Sequence, residues 1–127
     1  AWSYCGQWLA SGGADKMVCV YDAKTFEVKS SLNVDSEVCS VAFSKDGTTL
    51  AAGCEDGKIY FLDPTAGEIK SSLNVDGDVS SVAFSMDGSK IAAAFNVYDD
   101  EYGGVKIFRV SNQPEGSAGF VCQSTLC

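Results

Sequence analysis

Lys29-Ser30-Ser31-Leu32-Asn33-Val34-Asp35 returns, residue for residue, as Lys70-Ser71-Ser72-Leu73-Asn74-Val75-Asp76, and this duplication decides the fold. The copies lie 41 residues apart, and the register holds well outside the heptad. Val38 to Phe43 maps onto Val79 to Phe84, Asp46-Gly47 onto Asp87-Gly88, and Leu50-Ala51-Ala52 onto Ile91-Ala92-Ala93. Going backwards, Trp2-Ser3 lies under Phe43-Ser44, Gly6 under Gly47 and Leu9 under Leu50. A fixed period of this length signals stacked supersecondary units, none of which can bury its apolar face alone.

The middle unit reads as four antiparallel strands. Val38 to Phe43 is a short apolar run closed by Ser44-Lys45-Asp46-Gly47, and Thr48 to Cys54 is a second, closed by Glu55-Asp56-Gly57. Asp-Gly between two apolar runs is a hairpin signal, because glycine supplies the positive φ of a tight turn. Lys58 to Leu62 is the third strand, and Glu68 to Leu73, beyond Asp63-Pro64, is the fourth. Small residues crowd the first strand, which suits a place near an axis where several sheets converge. Lys and Ser alternate with apolar residues in the fourth, which suits an outer rim. The chain divides into a partial first unit (1–28), a second repeat (29–69), a third repeat (70–110) and an irregular tail (111–127). The third repeat carries an elongated hairpin loop at 95–103, and within the tail only Phe120 to Gln123 has strand character.

The run from Leu32 to Asp63 fits Leu-x(5)-Val-x-x-Val-x-Phe-Ser-x-Asp-Gly-x-x-Leu-Ala-x-Gly-x-x-Asp-Gly-x-Ile-x-x-Leu-Asp. This pattern resembles the WD-repeat β-propeller family, over residues 1 to about 110. The resemblance implies an all-β chain, a β-propeller segment of three four-stranded antiparallel blades. Propellers have four to eight blades, so the expectation is part of a larger closed propeller, completed by a longer chain or by self-association. There are departures. The Gly-His pair before the first strand is replaced by Asn33-Val34-Asp35 and Asn74-Val75-Asp76. Tyr21, Leu62 and Phe108 stand for the Trp of the Trp-Asp signature, and Arg109 stands for its Asp in the third unit. With no histidine in the chain, the family's Trp–Ser/Thr–His–Asp network cannot form, and the blades are expected to cohere by apolar contact.

Composition narrows the function classes. The net charge is -8, from 17 acidic and 9 basic residues, and the pI is near 4.3. Nucleic acid and anionic membranes repel such a surface, so protein partners, basic segments above all, are expected. No apolar run is long enough for a membrane helix. The six cysteines do not recur with the repeat, so they read as small apolar fillers in a reducing compartment, hence an intracellular, cytoplasmic setting, with a surface thiol or a pair left open for Cys122 and Cys127 in the tail. Without histidine or Cys-x-x-Cys, no metal centre is expected, and the elongated loop lacks an EF-hand spacing. Catalytic pairs built on histidine and phosphate-binding glycine loops are likewise missing, so neither a cofactor nor enzymatic activity is expected.

In the resembled family, partners dock on the rim made by second-to-third-strand hairpins and between-unit loops. Ten of the 17 acidic residues map there. Asp15 and Asp56, like Asp46 and Asp87 on the other rim, are turn formers by type. The candidate partner-binding residues are Asp35, Glu37, Glu55, Asp76, Asp78, Tyr98, Asp99, Asp100, Glu101 and Tyr102. Tyr98 and Tyr102 serve as aromatic anchors flanked by charge. The reading is a non-catalytic protein-interaction scaffold with one acidic rim. The alternative is a segment of a propeller enzyme, lactonase- or quinoprotein-like, whose active-site residues lie outside this chain.

Overall fold

The computed structural model describes residues 1–75, 77–96, 103–111 and 119–126. These form three antiparallel sheets and, among the described residues, no helix. The first sheet holds β1 (Trp8–Gly12), β2 (Met17–Asp22) and β3 (Val28–Asn33), with Trp2 bridged to Leu9 on the free side of β1. The second holds β4 (Val38–Phe43), β5 (Leu50–Cys54), β6 (Lys58–Asp63) and β7 (Glu68–Asn74). The third holds β8 (Asp78–Phe84), β9 (Lys90–Asn96), β10 (Gly103–Ser111) and β11 (Gly119–Leu126). In each sheet, strands neighbouring in sequence pair in order, as successive hairpins must. The blades are therefore those expected from the repeat.

Two particulars differ from the sequence reading. The repeat beginning at Lys29 opens with residues of β3, which pairs β2 in the preceding sheet, so repeat and blade are one strand out of step. The tail is not irregular throughout, because β11 runs the length of β10 from Val105↔Leu126 to Ser111↔Gly119. An unpaired β10 would leave a row of backbone donors and acceptors open, and β11 satisfies them across one bulge at Ile107/Phe108.

The core lies between sheets. Along β5, Leu50, Ala52 and Cys54 face the first sheet while Ala51 faces the third; along β6, Tyr60 and Leu62 oppose Ile59 and Phe61 in the same way. Both middle strands are thus apolar on both faces, as a sheet sandwiched between two others demands. Innermost strands pack on innermost strands, β4 against β8. Tyr4 and Met86, which hold one register position two repeats apart, meet through a hydroxyl-to-sulfur hydrogen bond of 2.9 Å. The turns of the first and third sheets thus converge on a common axis.

The tightest inter-sheet contact is a valine seated on a glycine. A Cβ built on Gly53 would lie 2.5 Å from Val79 Cγ1 and 3.1 Å from Val82 Cγ1. Gly12, one repeat earlier, meets Val38 and Val41 in the same way. Gly12 reads in sequence as a hairpin glycine; its place is instead a packing hole. Of the cysteines, Cys54 is the buried filler expected, its thiol pushed up to about 12 by burial. Cys5, in the turn before β1, and Cys39, on β4, are free and exposed, contrary to the filler reading.

Lys16 (φ 65°) and Phe26 (φ 58°) occupy the left-handed region. One repeat later the same turns use Gly57 (φ 85°) and Gly67 (φ 68°), with the same closing bonds from the residue's N–H to Gly13, Asp22, Cys54 and Asp63 carbonyls. The first repeat carries backbone strain that the second avoids.

Two predictions follow from this packing. Gly53→Ala and Gly12→Ala should each lower stability by about 1–3 kcal/mol in urea denaturation, with Val79→Ala restoring part of the Gly53→Ala loss. Lys16→Gly and Phe26→Gly should each raise stability by about 1 kcal/mol in the same assay.

Candidate functional site

Loops 13–16, 34–37 and 55–57, together with Val75 and Gly77, all lie at one end of the sheets, because antiparallel strands alternate direction. Backbone hydrogen bonds stitch them together. Val34 N–H donates to Lys16 O (2.9 Å), Val38 N–H to Gly13 O (3.1 Å), Glu55 N–H to Glu37 O (3.0 Å) and Val75 N–H to Gly57 O (2.7 Å). Val34 and Val75, inside the duplicated heptads, are buried and pin the between-unit loops to the core. The buried Ser36 hydroxyl accepts from Asp56 N–H at 3.0 Å. These bonds hold the described loops of the rim to one another.

The aspartates with turn duties are where the sequence puts them. Asp15 Oδ1 accepts from Met17 N–H (3.1 Å) and Asp56 Oδ1 from Lys58 N–H (3.0 Å). On the opposite rim, Asp46 accepts from Thr48 N–H and Asp87 from Ser89 N–H, both at 3.0 Å. The Ser85 hydroxyl, with further help from Ser89, holds the Asp87 carboxyl far below the usual carboxylate range. Asp22 and Asp63, the surviving aspartates of the Trp-Asp position, close the third turns by accepting from Lys24 and Thr65 N–H at 2.8 and 3.0 Å.

Among the described residues, Asp35, Glu37, Glu55 and Asp78 show no such turn bond. Glu37 and Glu55 are exposed and Asp78 is half-buried. The Glu37 charge, then a hydrogen bond with the Glu37 carboxyl, burial and the Asp78 charge push the Glu55 carboxyl above its ordinary value. Exposed Cys39 lies among the same three; burial first, then Glu55, Asp78 and Glu37, raise its thiol. Glu37, Glu55 and Asp78 therefore converge into one patch of negative charge. Asp35 is exposed on the same rim, nearer Tyr60, whose hydroxyl its charge helps to raise. Asp76, Tyr98, Asp99, Asp100, Glu101 and Tyr102 lie outside the described residues.

Two local contacts were not foreseen. The Tyr60 hydroxyl donates to Asp56 Oδ2 at 3.1 Å, and burial with the Asp56 charge pushes it up to about 12. Ser36, Asp56 and Tyr60 thus form a polar link in the second sheet without histidine. In the third, Lys106 holds the Tyr60 position and places Nζ 5.3 Å from the centroid of the Phe95 ring, within cation–π range. The signal was a Tyr four residues after the turn Asp, a spacing that brings the two side chains to one face of the hairpin.

Glu55 binds its proton more tightly in the native state than in the unfolded chain. Its contribution to stability is therefore greatest below the ordinary glutamate pKa of about 4.3 and is lost as pH rises through the folded value. Glu37→Gln should bring the Glu55 carboxyl back toward that ordinary value in a carbon-13 NMR titration. The variant should also melt higher than the parent at neutral pH, with the difference vanishing in acid.

The comparisons agree with this geometry. Residues 26–87 match the model of the anaphase-promoting complex subunit 4 WD40 domain, and residues 1–22 match the WD domain, G-beta repeat. No curated protein matches the chain in sequence. Among solved structures, a chain of a mitotic checkpoint complex is similar at TM-score 0.83 and 25% identity, over 99% of this chain and 37% of that one. The Myceliophteria thermophila Cps50 (Swd1) β-propeller domain is similar at TM-score 0.75 and 20% identity, over 98% and 36%. Kuenenia stuttgartiensis hydrazine synthase is similar at TM-score 0.78 and 19% identity, over 85% and 31%. The chain spans about a third of the length of these solved chains. From the 41-residue register, the three antiparallel sheets and these matches together, the chain belongs to the WD-repeat β-propeller family.

Proposed function

We propose that this propeller segment is a non-catalytic scaffold that docks a Lys/Arg-rich segment of a protein partner on its acidic rim. The single observation that carries the reading is the convergence of Glu37, Glu55 and Asp78, whose charges drive the Glu55 carboxyl upward. An arriving lysine or arginine relieves that repulsion, so binding and local electrostatics favour each other. The rim is also held rigid by its backbone stitches, which lowers the ordering entropy of association. Asp35 extends the patch along one side. Asp76 and the Tyr98 to Tyr102 loop extend it in sequence, with the two tyrosines as anchors.

The similar chain in a mitotic checkpoint complex belongs to a protein assembly, which supports the scaffold class. The likeness to hydrazine synthase, at 19% identity, speaks to fold alone and does not favour the enzyme alternative. The free, exposed thiols of Cys5 and Cys39 suit a reducing, intracellular setting.

The test is fluorescence anisotropy with a labelled Lys/Arg-rich peptide, beside a Glu-rich peptide of equal length. The basic peptide should bind, weaken with added salt, and lose on the order of tenfold in affinity to a Glu37→Lys, Glu55→Lys, Asp78→Lys triple variant. A second variant reverses Asp99, Asp100 and Glu101. Equal binding of both peptides, or affinity unmoved by either variant, would overturn the reading.

A further inference from the structure

The third sheet turns one face toward the second and the other away from it. On the far face Ala92, Ala94, Val105 and Ile107 are half-buried side chains with no sheet against them among the described residues. Their register partners in the second sheet are Ala51, Gly53, Ile59 and Phe61 (Ala51↔Phe61 and Gly53↔Ile59 there, Ala92↔Ile107 and Ala94↔Val105 here). In the second sheet those residues are buried by the third. The far face is thus the same joint presented once more.

That joint has two working parts. Its hole is Gly12 or Gly53, into which Val38 or Val79 of the following innermost strand is seated. Its polar latch is Ser40 Oγ, which accepts from Val82 N–H on the following innermost strand at 3.2 Å. The third sheet repeats the latch as Ser81, exposed and one repeat after Ser40. It does not repeat the hole. Ala94 stands in register with Gly12 and Gly53, and its methyl fills the space that a seated valine uses. At Gly53 such a methyl would come within 2.5 Å of Val79 Cγ1, far inside van der Waals contact. A third copy of the valine joint cannot close here without displacing one strand.

We propose that Ala94 makes the far face of the third sheet selective: the four-stranded blade that a propeller sets against it must carry Gly, Ala or Ser, in place of valine, on its innermost strand opposite Ala94. That strand donates a backbone N–H to Ser81 Oγ, and its neighbours cover Val105 and Ile107. The occupant is a blade rather than a helix or a peptide, because the face reproduces in register one already closed by a blade. The chain also covers only 37% of a solved chain that it matches at TM-score 0.83. Ala94 is then a selectivity residue. It rejects the Val38-type strand and so prevents this chain's own repeats from stacking at that place, which fixes blade order.

The experiment extends the full chain at its C-terminus with a copy of residues 34–74, the second blade and its leading loop. A single blade does not hold structure alone, so protection of its amides from hydrogen exchange reports docking. Three forms are compared: the copy with its Val38-equivalent kept, the copy with that valine changed to Ala, and the valine copy on an Ala94→Gly background. The first should exchange like an unfolded peptide. The other two should be protected by about a hundredfold or more. Protection of the first form equal to the others would overturn the selectivity of Ala94. Absence of protection in all three would overturn the assignment of this face to a blade.

Discussion

The structure depends on burial between sheets, and at its closest point on a valine seated where a glycine leaves room. The second sheet has no solvent face and core face in the ordinary sense. β5 and β6 are apolar on both sides, with Leu50, Ala52, Tyr60 and Leu62 turned one way and Ala51, Ile59 and Phe61 the other. Removing any sheet would expose its neighbour, so stability is a sum over interfaces rather than over blades. Gly12 and Gly53 set how closely the sheets approach. That distance in turn decides whether Ser40 can reach the backbone of the next innermost strand.

The two rims show different chemistry on the same scaffold. One is monotonous: Asp46 and Asp87 make the same three bonds to flanking hydroxyls and an N–H, and Asp22 and Asp63 close matching turns. The other varies from blade to blade. Cys19, Tyr60 and Lys106 share one register position yet are a thiol, a hydrogen-bond donor to Asp56, and a cation over Phe95. Carboxylates without structural duties collect on that varied rim, and their mutual repulsion is left standing in Glu55. Variation on a rigid frame is what recognition requires. Fold alone does not supply it.

Much of this was legible in the chain. The 41-residue register gave strand order, the inner and outer positions, and the loops that share a rim, because each follows from period and alternation. Turn aspartates were readable because their bonds are local. Contacts between sheets were not, since Gly12 looks like any hairpin glycine until Val38, twenty-six residues on, is placed against it. Lys16 and Phe26 hide strained turns behind ordinary residue types. β11 reads in sequence as a strand only over Phe120 to Gln123, and its extension to Leu126 follows from β10 needing a partner, a tertiary reason no window of sequence contains. The clustering of Glu37, Glu55 and Asp78 likewise depends on the stitch from Glu55 N–H to Glu37 O, which joins residues eighteen apart.

The one-strand offset between repeat and blade has a consequence for how such a chain grows and comes apart. Because the unit opening at Lys29 lends β3 to the sheet before it, each module is clasped by its successor. Tandem copying of the encoding segment therefore lengthens the array without leaving any sheet short, wherever the copy is inserted. By the same token, melting one module strips an outer strand from its predecessor, so loss of order spreads along the chain instead of stopping at a module boundary.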